Sequence, residues 1–198
     1  MSFIITIGRQ YGSGGRFIGQ ELAKELNVPF YDNDLLAKAA VNSGIDEDVV
    51  KLYDEKKDGV FSGFIPSLYG YDMTMGQKVF LAQFEVIKKI AAEGSAVIVG
   101  RCADYVLKDK ENVVSVFIMA PEEDCVKRAV KYYGMDEKKA REYIKKTDKK
   151  RASYYNFYTD RKWSEASNYD LCINSNIGIK ETVDVIKAFA SKKLKQEL

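Results

Sequence analysis

Apolar residues in this chain alternate between short, nearly unbroken runs and longer stretches with helical spacing. Residues 3–7, FIITI, are almost wholly apolar and β-branched, the pattern of a parallel strand buried on both faces. Gly8 is read as its end, and from Phe17 onward Ile18, Leu22 and Leu26 recur at helical spacing, so strand, glycine loop and helix follow in order. Residues 28–31 predict a short second strand, and Asp32-Asn33-Asp34 would cap a helix over 35–41. A further helix is expected within 46–57, and an amphipathic one over 77–92 through Phe80, Phe84, Ile87 and Ala91, stopped by Gly94. Residues 95–99 and 113–119 read as core strands, Pro121-Glu122-Glu123 as a helix start, and 121–162 as helical. A fifth strand at 171–173, a turn over 174–178 and a helix with Ile179, Val183, Ile186 and Ala190 on one face complete the chain. Helices between every successive pair of strands predict an α/β fold: three α/β/α layers around a five-stranded parallel sheet.

Residues 58–74 break every period, with Gly59, Gly63, Gly70 and Pro66 among Phe61, Phe64, Tyr69 and Tyr71. A loop of this length is expected to serve as an acceptor lid or a homodimer surface, or to bury its own aromatics. With 198 residues, 46% of them hydrophobic, the chain reads as one domain that needs neither metal nor disulfide to fold. A net charge of +2 gives no reason to expect a nucleic-acid polymer as partner. The absence of histidine argues against a zinc site and a histidine-based triad, and Cys102, Cys125 and Cys172 read as reduced core residues. No apolar run of about 20 residues is present, and MSFIITIG is too short for a signal peptide, so no membrane partner and a cytoplasmic location are expected.

The chemistry starts in the first loop, Gly8-Arg9-Gln10-Tyr11-Gly12-Ser13-Gly14-Gly15-Arg16. Glycines let consecutive backbone N–H groups turn inward around a phosphate, and the following helix adds its positive end. Gly8, Arg9, Gly12, Ser13, Gly14, Gly15 and Arg16 are therefore the expected binding residues for a nucleotide's phosphates. The strict Walker pattern has lysine and then serine or threonine after its last glycine. Here Gly15 stands at the lysine, Arg16 at the magnesium hydroxyl and Arg9 at the first glycine. Arg16 is expected to replace the lysine charge, though a guanidinium cannot coordinate Mg²⁺. Magnesium would be held through water, Ser13 or acids outside the loop, and no residue is assigned as its ligand. Asp32 and Asp34 follow the second strand at the carboxyl edge, where such sheets bind ligands; helix capping is the alternative for either.

The segments ITIGRQYGSGGRFIG, PFYDNDLL, VIVGRCADYVL, VFIMAPEEDCVKRAV, DKKRASYYNFYTDRKW and YDLCINS resemble the cytidylate-kinase-like family of P-loop nucleoside monophosphate kinases. The resemblance implies transfer of a phosphoryl group from ATP, with Mg²⁺, to a nucleoside monophosphate, cytidylate first. A non-catalytic nucleotide-binding regulatory protein and a kinase of another small phosphorylated metabolite remain the alternatives. By the same resemblance one of Asp32 and Asp34 would touch the acceptor's base or sugar, and Arg101, which closes the third strand, its phosphate. Residues 128–163 would form a lid, from which Arg128 and Arg151 cover the transferring group beside Arg16, with Lys149 on the substrate. Tyr154, Tyr155, Tyr158 and Trp163 are expected to pack that lid onto the body, with stacking on a base as the alternative.

Overall fold

Strands β1 (Ile4–Arg9), β2 (Phe30–Tyr31), β3 (Ala96–Val99), β4 (Val113–Met119) and β5 (Leu171–Asn174) pair in parallel in the order β2-β3-β1-β4-β5. They are seen in a computed structural model that describes residues 2–36 and 75–198, the side chains of 75–79 aside. The helices are α1 (Gly15–Glu25), α2 (Met75–Glu93), α3 (Ala103–Val106), α4 (Glu122–Tyr133), α5 (Glu137–Thr159) and α6 (Ile179–Leu194). The helix expected over 46–57, most of that over 35–41 and the loop 58–74 lie outside the described residues.

Alternation along the strands builds the layers. Ile5, Ile7, Val97, Val99, Val114 and Val116 pack with Ile18 and Leu22 of α1 and Val183 and Ile186 of α6. Ile4, Ala96, Ile98 and Val113 turn to the opposite face, against Val86, Ile87 and Ile90 of α2 and Ala103 of α3. Both faces are therefore covered, which is why these strands read as continuous apolar runs rather than alternating ones. Cys102 and Cys125 are buried and Cys172 partly so, all three as free thiols. Among the described residues no helix is long and apolar enough to cross a membrane.

β1 extends beyond the expected end at Gly8, because Gly8 and Arg9 stay in register with Phe117 and Ile118 of β4. β2 is only two residues long, at the sheet edge. The chain leaves β1 toward that edge, whereas from β4 it goes to β5 on the opposite side. The carboxyl ends of β1 and β4 thus mark the topological switch point, the region near which open α/β sheets bind ligands. Gln10 ties the two ends, its N–H donating to Ile118 O at 3.0 Å and its Oε1 accepting from Ala120 N at 3.1 Å.

α1 approaches the sheet closely because Gly19 has no side chain. A Cβ there would lie 2.8 Å from Val99 Cγ2, 3.1 Å from Phe30 Cε2 and 3.3 Å from Ile7 Cδ1. Gly19→Ala should therefore lower stability by about 1–3 kcal/mol through overpacking, despite alanine's helix advantage of about 1 kcal/mol. Urea denaturation with an unchanged m-value reads this; a variant as stable as wild type would show that α1 can withdraw from β3 at no cost.

Candidate active site at the carboxyl ends of β1 and β3

The loop after β1 is closed on itself and held from behind. Ser13 N and Oγ both donate to Gln10 O, at 3.4 and 2.9 Å. Gly12 and Gly14 have φ of +76° and +82°, a left-handed conformation that costs glycine little. Gly12 also lies against α4, where a Cβ would come 2.5 Å from Cys125 O. Arg128 on α4 donates from Nη1 to Gly12 O at 3.4 Å and from Nη2 to Ser175 O at 2.9 Å. Ser175 Oγ donates to Ser13 O at 2.5 Å. From α5, Asp148 Oδ1 accepts from Tyr11 N at 2.7 Å and Arg151 Nη1 donates to Arg9 O at 3.1 Å. The loop's carbonyls thus face protein. Among the described residues, the amides of Gly12, Gly14, Gly15 and Arg16 have no protein acceptor, which makes them a ready anion cradle at the start of α1.

Two cavities meet at this edge. The first, about 250 Å³, lies over the loop and is lined by Gly12, Gly14, Gly15, Arg16, Asp32 and Asp34. The second, about 360 Å³, is bordered by Gly8, Arg101, Asp104, Lys150, Tyr155 and Trp163. Arg9, Asn33 and Arg151 line both. Arg16, at the mouth of the first cavity, is turned to Asp32, with Nε 2.8 Å from Oδ2. Buried Asp32 also caps the following helical turn, Oδ1 accepting from the amides of Asp34 and Leu35 at 3.2 and 3.1 Å. Asp34 is exposed. Arg101 Nε donates to Asn33 Oδ1 at 2.5 Å, and its guanidinium carbon lies 5.5 Å from the Tyr154 ring centroid. Arg128 lines neither cavity, and its contacts lie on the loop's far side. Lys149 is exposed and also lines neither, whereas its neighbour Lys150 lines the second.

The wall of the second cavity is aromatic, with Tyr154 and Tyr155 on α5 and Trp163 and Tyr169 beyond it. Tyr154 Oη donates to Gln83 Oε1 at 2.8 Å, and Tyr158 stacks on Phe80 at 4.1 Å between centroids, so these residues fasten α5 to α2. Tyr155 Oη donates to Asp104 Oδ2 at 2.7 Å. Burial pushes the Asp104 carboxyl above the usual carboxylate range, opposed by that hydrogen bond, and burial followed by the Asp104 charge raises the Tyr155 phenol. Tyr169, 9% exposed, has a buried hydroxyl that completes no hydrogen bond of good geometry among the described residues, with the Tyr155 phenol and the Ser164 backbone beside it. Cys102 is pushed up to about 12 by burial, which makes it inert as a nucleophile at neutral pH.

Asp104, Tyr169 and Ser175 are site residues that the sequence did not single out, while Asn33 was read only as part of a helix cap and Asp148 only as part of the lid's charged group. Each is brought in by tertiary packing, and none sits in a spacing that separates it from an ordinary cap or surface polar group.

A parallel sheet carrying a glycine loop between its central strand and a helix, with arginines converging on that loop, is the fold of the P-loop kinases. The chain belongs to the cytidylate kinase-like family, whose model matches residues 4–177. It is similar to an uncharacterized protein from Eubacterium ventriosum ATCC 27560 of known crystal structure, with 32% identity, a TM-score of 0.75 and coverage of 96% of this chain and 98% of that one. More distant likenesses show the fold alone. Shikimate kinase from Bacteroides thetaiotaomicron has 15% identity and a TM-score of 0.56, over 95% of this chain and 98% of that one. A gluconokinase from Sinorhizobium meliloti 1021 has 13% identity and a TM-score of 0.58, over 98% and 94%. No curated protein matches the sequence.

Asp104 gives the site a pH signature. Because its folded pKa is raised, the native chain holds a proton that the unfolded chain releases above the ordinary value of 3.8. Its contribution is therefore most favourable below that value and is lost as pH rises through the raised folded pKa. Asp104→Asn removes the titration, so the wild type should lose Tm relative to the variant as the pH is raised from about 4 toward neutrality. A Tm difference that stays flat over that interval would mean that Asp104 titrates normally.

Proposed function

We propose that this chain transfers the γ-phosphoryl group of ATP to a small acceptor that already carries a phosphate, a nucleoside monophosphate with cytidylate as the first candidate. The observation that carries this reading is the pair of cavities sharing Arg9, Asn33 and Arg151: a phosphate cradle on one side and a cationic, aromatic-walled pocket on the other. Arg9, Arg101, Lys150 and Arg151 all line the second cavity, which suits a multiply charged anion. Its aromatic wall suits a base. The buried Asp104 carboxyl and the Tyr169 hydroxyl, both on this cavity's wall, suit the polar edge of that base.

In this reading the amides of Gly12, Gly14, Gly15 and Arg16 hold the ATP phosphates. Arg101 and Lys150 hold the acceptor phosphate. An oxygen of that phosphate, already anionic and needing no general base, forms the new bond to the γ-phosphorus. The bond from the γ-phosphorus to the bridging oxygen breaks, and ADP leaves with its electron pair. Arg151 lies between the two cavities and faces the charge that develops, while Arg128 acts through the loop carbonyl it holds. Helices α4 and α5 serve as the lid that keeps water out.

The cradle fits ATP, but the residues around it offer Mg²⁺ little. Ser13 Oγ donates to Gln10 O, and among the described residues no group of three or more His, Cys, Asp or Glu forms a metal site. Magnesium would then arrive on the nucleotide, with exposed Asp34 on the wall of the donor cavity as the acid beside it. Bound to phosphate oxygens, it would neutralise charge on the transferred group.

Product formation from ATP and Mg²⁺ with a panel of nucleoside monophosphates tests the reading, with cytidylate expected as the best substrate. Arg101→Gln should raise the acceptor KM about 10–100-fold, as expected for a lost charge-assisted contact of about 1.5–3 kcal/mol, and leave the ATP KM nearly unchanged. ATP binding without turnover of any acceptor would replace the proposal with a regulatory nucleotide-binding protein. Turnover confined to non-nucleotide phosphorylated acceptors would keep the chemistry and change the substrate.

A further inference from the structure

We infer that the guanidinium of Arg9, reaching across from the end of β1, is the cation that binds the phosphoryl group in transit and takes the place of the Walker lysine. The inference rests on the phosphoryl-transfer reading and names a residue for its central step, the passage of the γ-phosphoryl group from ADP to the acceptor oxygen.

The first support is steric. A Cβ at Gly15 would lie 2.6 Å from Arg9 Cβ and 3.0 Å from Arg9 Cγ, and a Cβ at Gly100 would fall on Arg9 Nη1. The Arg9 side chain therefore runs from the start of α1 to the end of β3, through space that these two glycines leave open. Gly15 stands at the position of the Walker lysine, and Arg9 at that of the motif's first glycine. Side chain and glycine have changed places, so the cation enters from the opposite end of the loop.

The second support is the division of labour among the arginines. Arg16 is held by Asp32, Arg101 by Asn33, Arg128 by Gly12 and Ser175, and Arg151 by Arg9 O with Asp148 at 3.8 Å. The Arg9 guanidinium alone of these five has neither hydrogen bond nor ion pair among the described residues. Arg9 lines both cavities, with its guanidinium beside Gly100 at the end of β3.

The third support is electrostatic. Burial, then Arg151 and Arg101, press against the Arg9 charge more than Asp32 and Asp148 offset it. A guanidinium does not deprotonate in proteins, so an arriving anion relieves this crowding.

A residue exchange tests the assignment. Four variants are compared with wild type: Arg9→Gln, Arg9→Gly, Gly15→Lys and the double variant Arg9→Gly/Gly15→Lys. Each is checked for folding by circular dichroism and titrated calorimetrically with inorganic tripolyphosphate and with Mg·ATP, alongside turnover. Arg9→Gln should lower kcat about 10²-fold, the usual loss for one group that stabilises transition-state charge, and weaken tripolyphosphate binding. Gly15→Lys should bind poorly, because its side chain meets Arg9. The double variant, with the cation back at the Walker position, should recover at least tenfold over Arg9→Gly in the same assays. A merely structural Arg9 would give no such rescue. Wild-type tripolyphosphate affinity in Arg9→Gln overturns the assignment, as does a folded double variant no better than Arg9→Gly. Where the double variant does not fold, Arg9→Gln decides. If wild type turns over no acceptor while tripolyphosphate binding still falls in Arg9→Gln and returns in the exchange, Arg9 is the phosphate-binding cation and only the phosphoryl-transfer reading fails.

Discussion

The site depends on one constraint: the loop after β1 must keep its carbonyls toward protein so that its amides are left to the cavity. Glycine allows that conformation but does not enforce it. Enforcement comes from Arg128 on Gly12 O, Asp148 on Tyr11 N and Ser175 on Ser13 O, which are 116, 137 and 162 residues distant in sequence. The loop is therefore locked only when α4, α5 and the turn after β5 have docked. Contacts of such long range form late in folding, after the closure entropy of the intervening chain has been overcome. The binding geometry is a property of the assembled domain rather than of the glycine-rich segment.

This also explains which parts of the structure could be read from the sequence. Strands buried on both faces announce themselves, and residues 113–119 form β4 with the expected bounds. The glycine-rich loop was legible from its glycines and its place between strand and helix. What escaped was the direction of Arg9. With β1 ended at Gly8, Arg9 belongs to an irregular loop and its side chain has no defined face. With β1 extended to Arg9, alternation places it on the side of Ile5 and Ile7, which is the side of α1 and Gly15. The signal was present, but it depended on two residues whose pairing with Phe117 and Ile118 only the folded sheet supplies. Asp104 and Tyr169 carried no such signal, because an acid in a short helix and a tyrosine before a strand are ordinary until packing brings them to one cavity.

The charge distribution shows why bulk composition says little here. The chain has a net charge of +2, yet Arg9, Arg101, Lys150 and Arg151 converge on a single cavity. The nearby acids offset this only in part. Asp32 holds Arg16 and caps a helical turn, and the Asp104 carboxyl favours its neutral form through burial. Asp148 is likewise raised by burial, with the Tyr11 amide and Arg151 opposing. The result is a local excess of positive charge in a partly desolvated pocket, where each cation acts on an anion more strongly than it would on the surface.

Helix α5 ties the two halves of the site together. Asp148 and Arg151 hold the loop, while Thr147, Lys150, Tyr154 and Tyr155 line the second cavity and Tyr158 fastens the same helix to α2. Residues three and four apart share a helix face, so one stripe of α5 serves both cavities. A helix of 23 residues with regular hydrogen bonding moves as a unit. Withdrawing it would release Tyr11 and Arg9 O from their partners and open the aromatic wall in the same displacement. The loop after β1 and the second pocket are therefore coupled through α5, and a ligand that draws Arg151 toward one cavity also alters the boundary of the other.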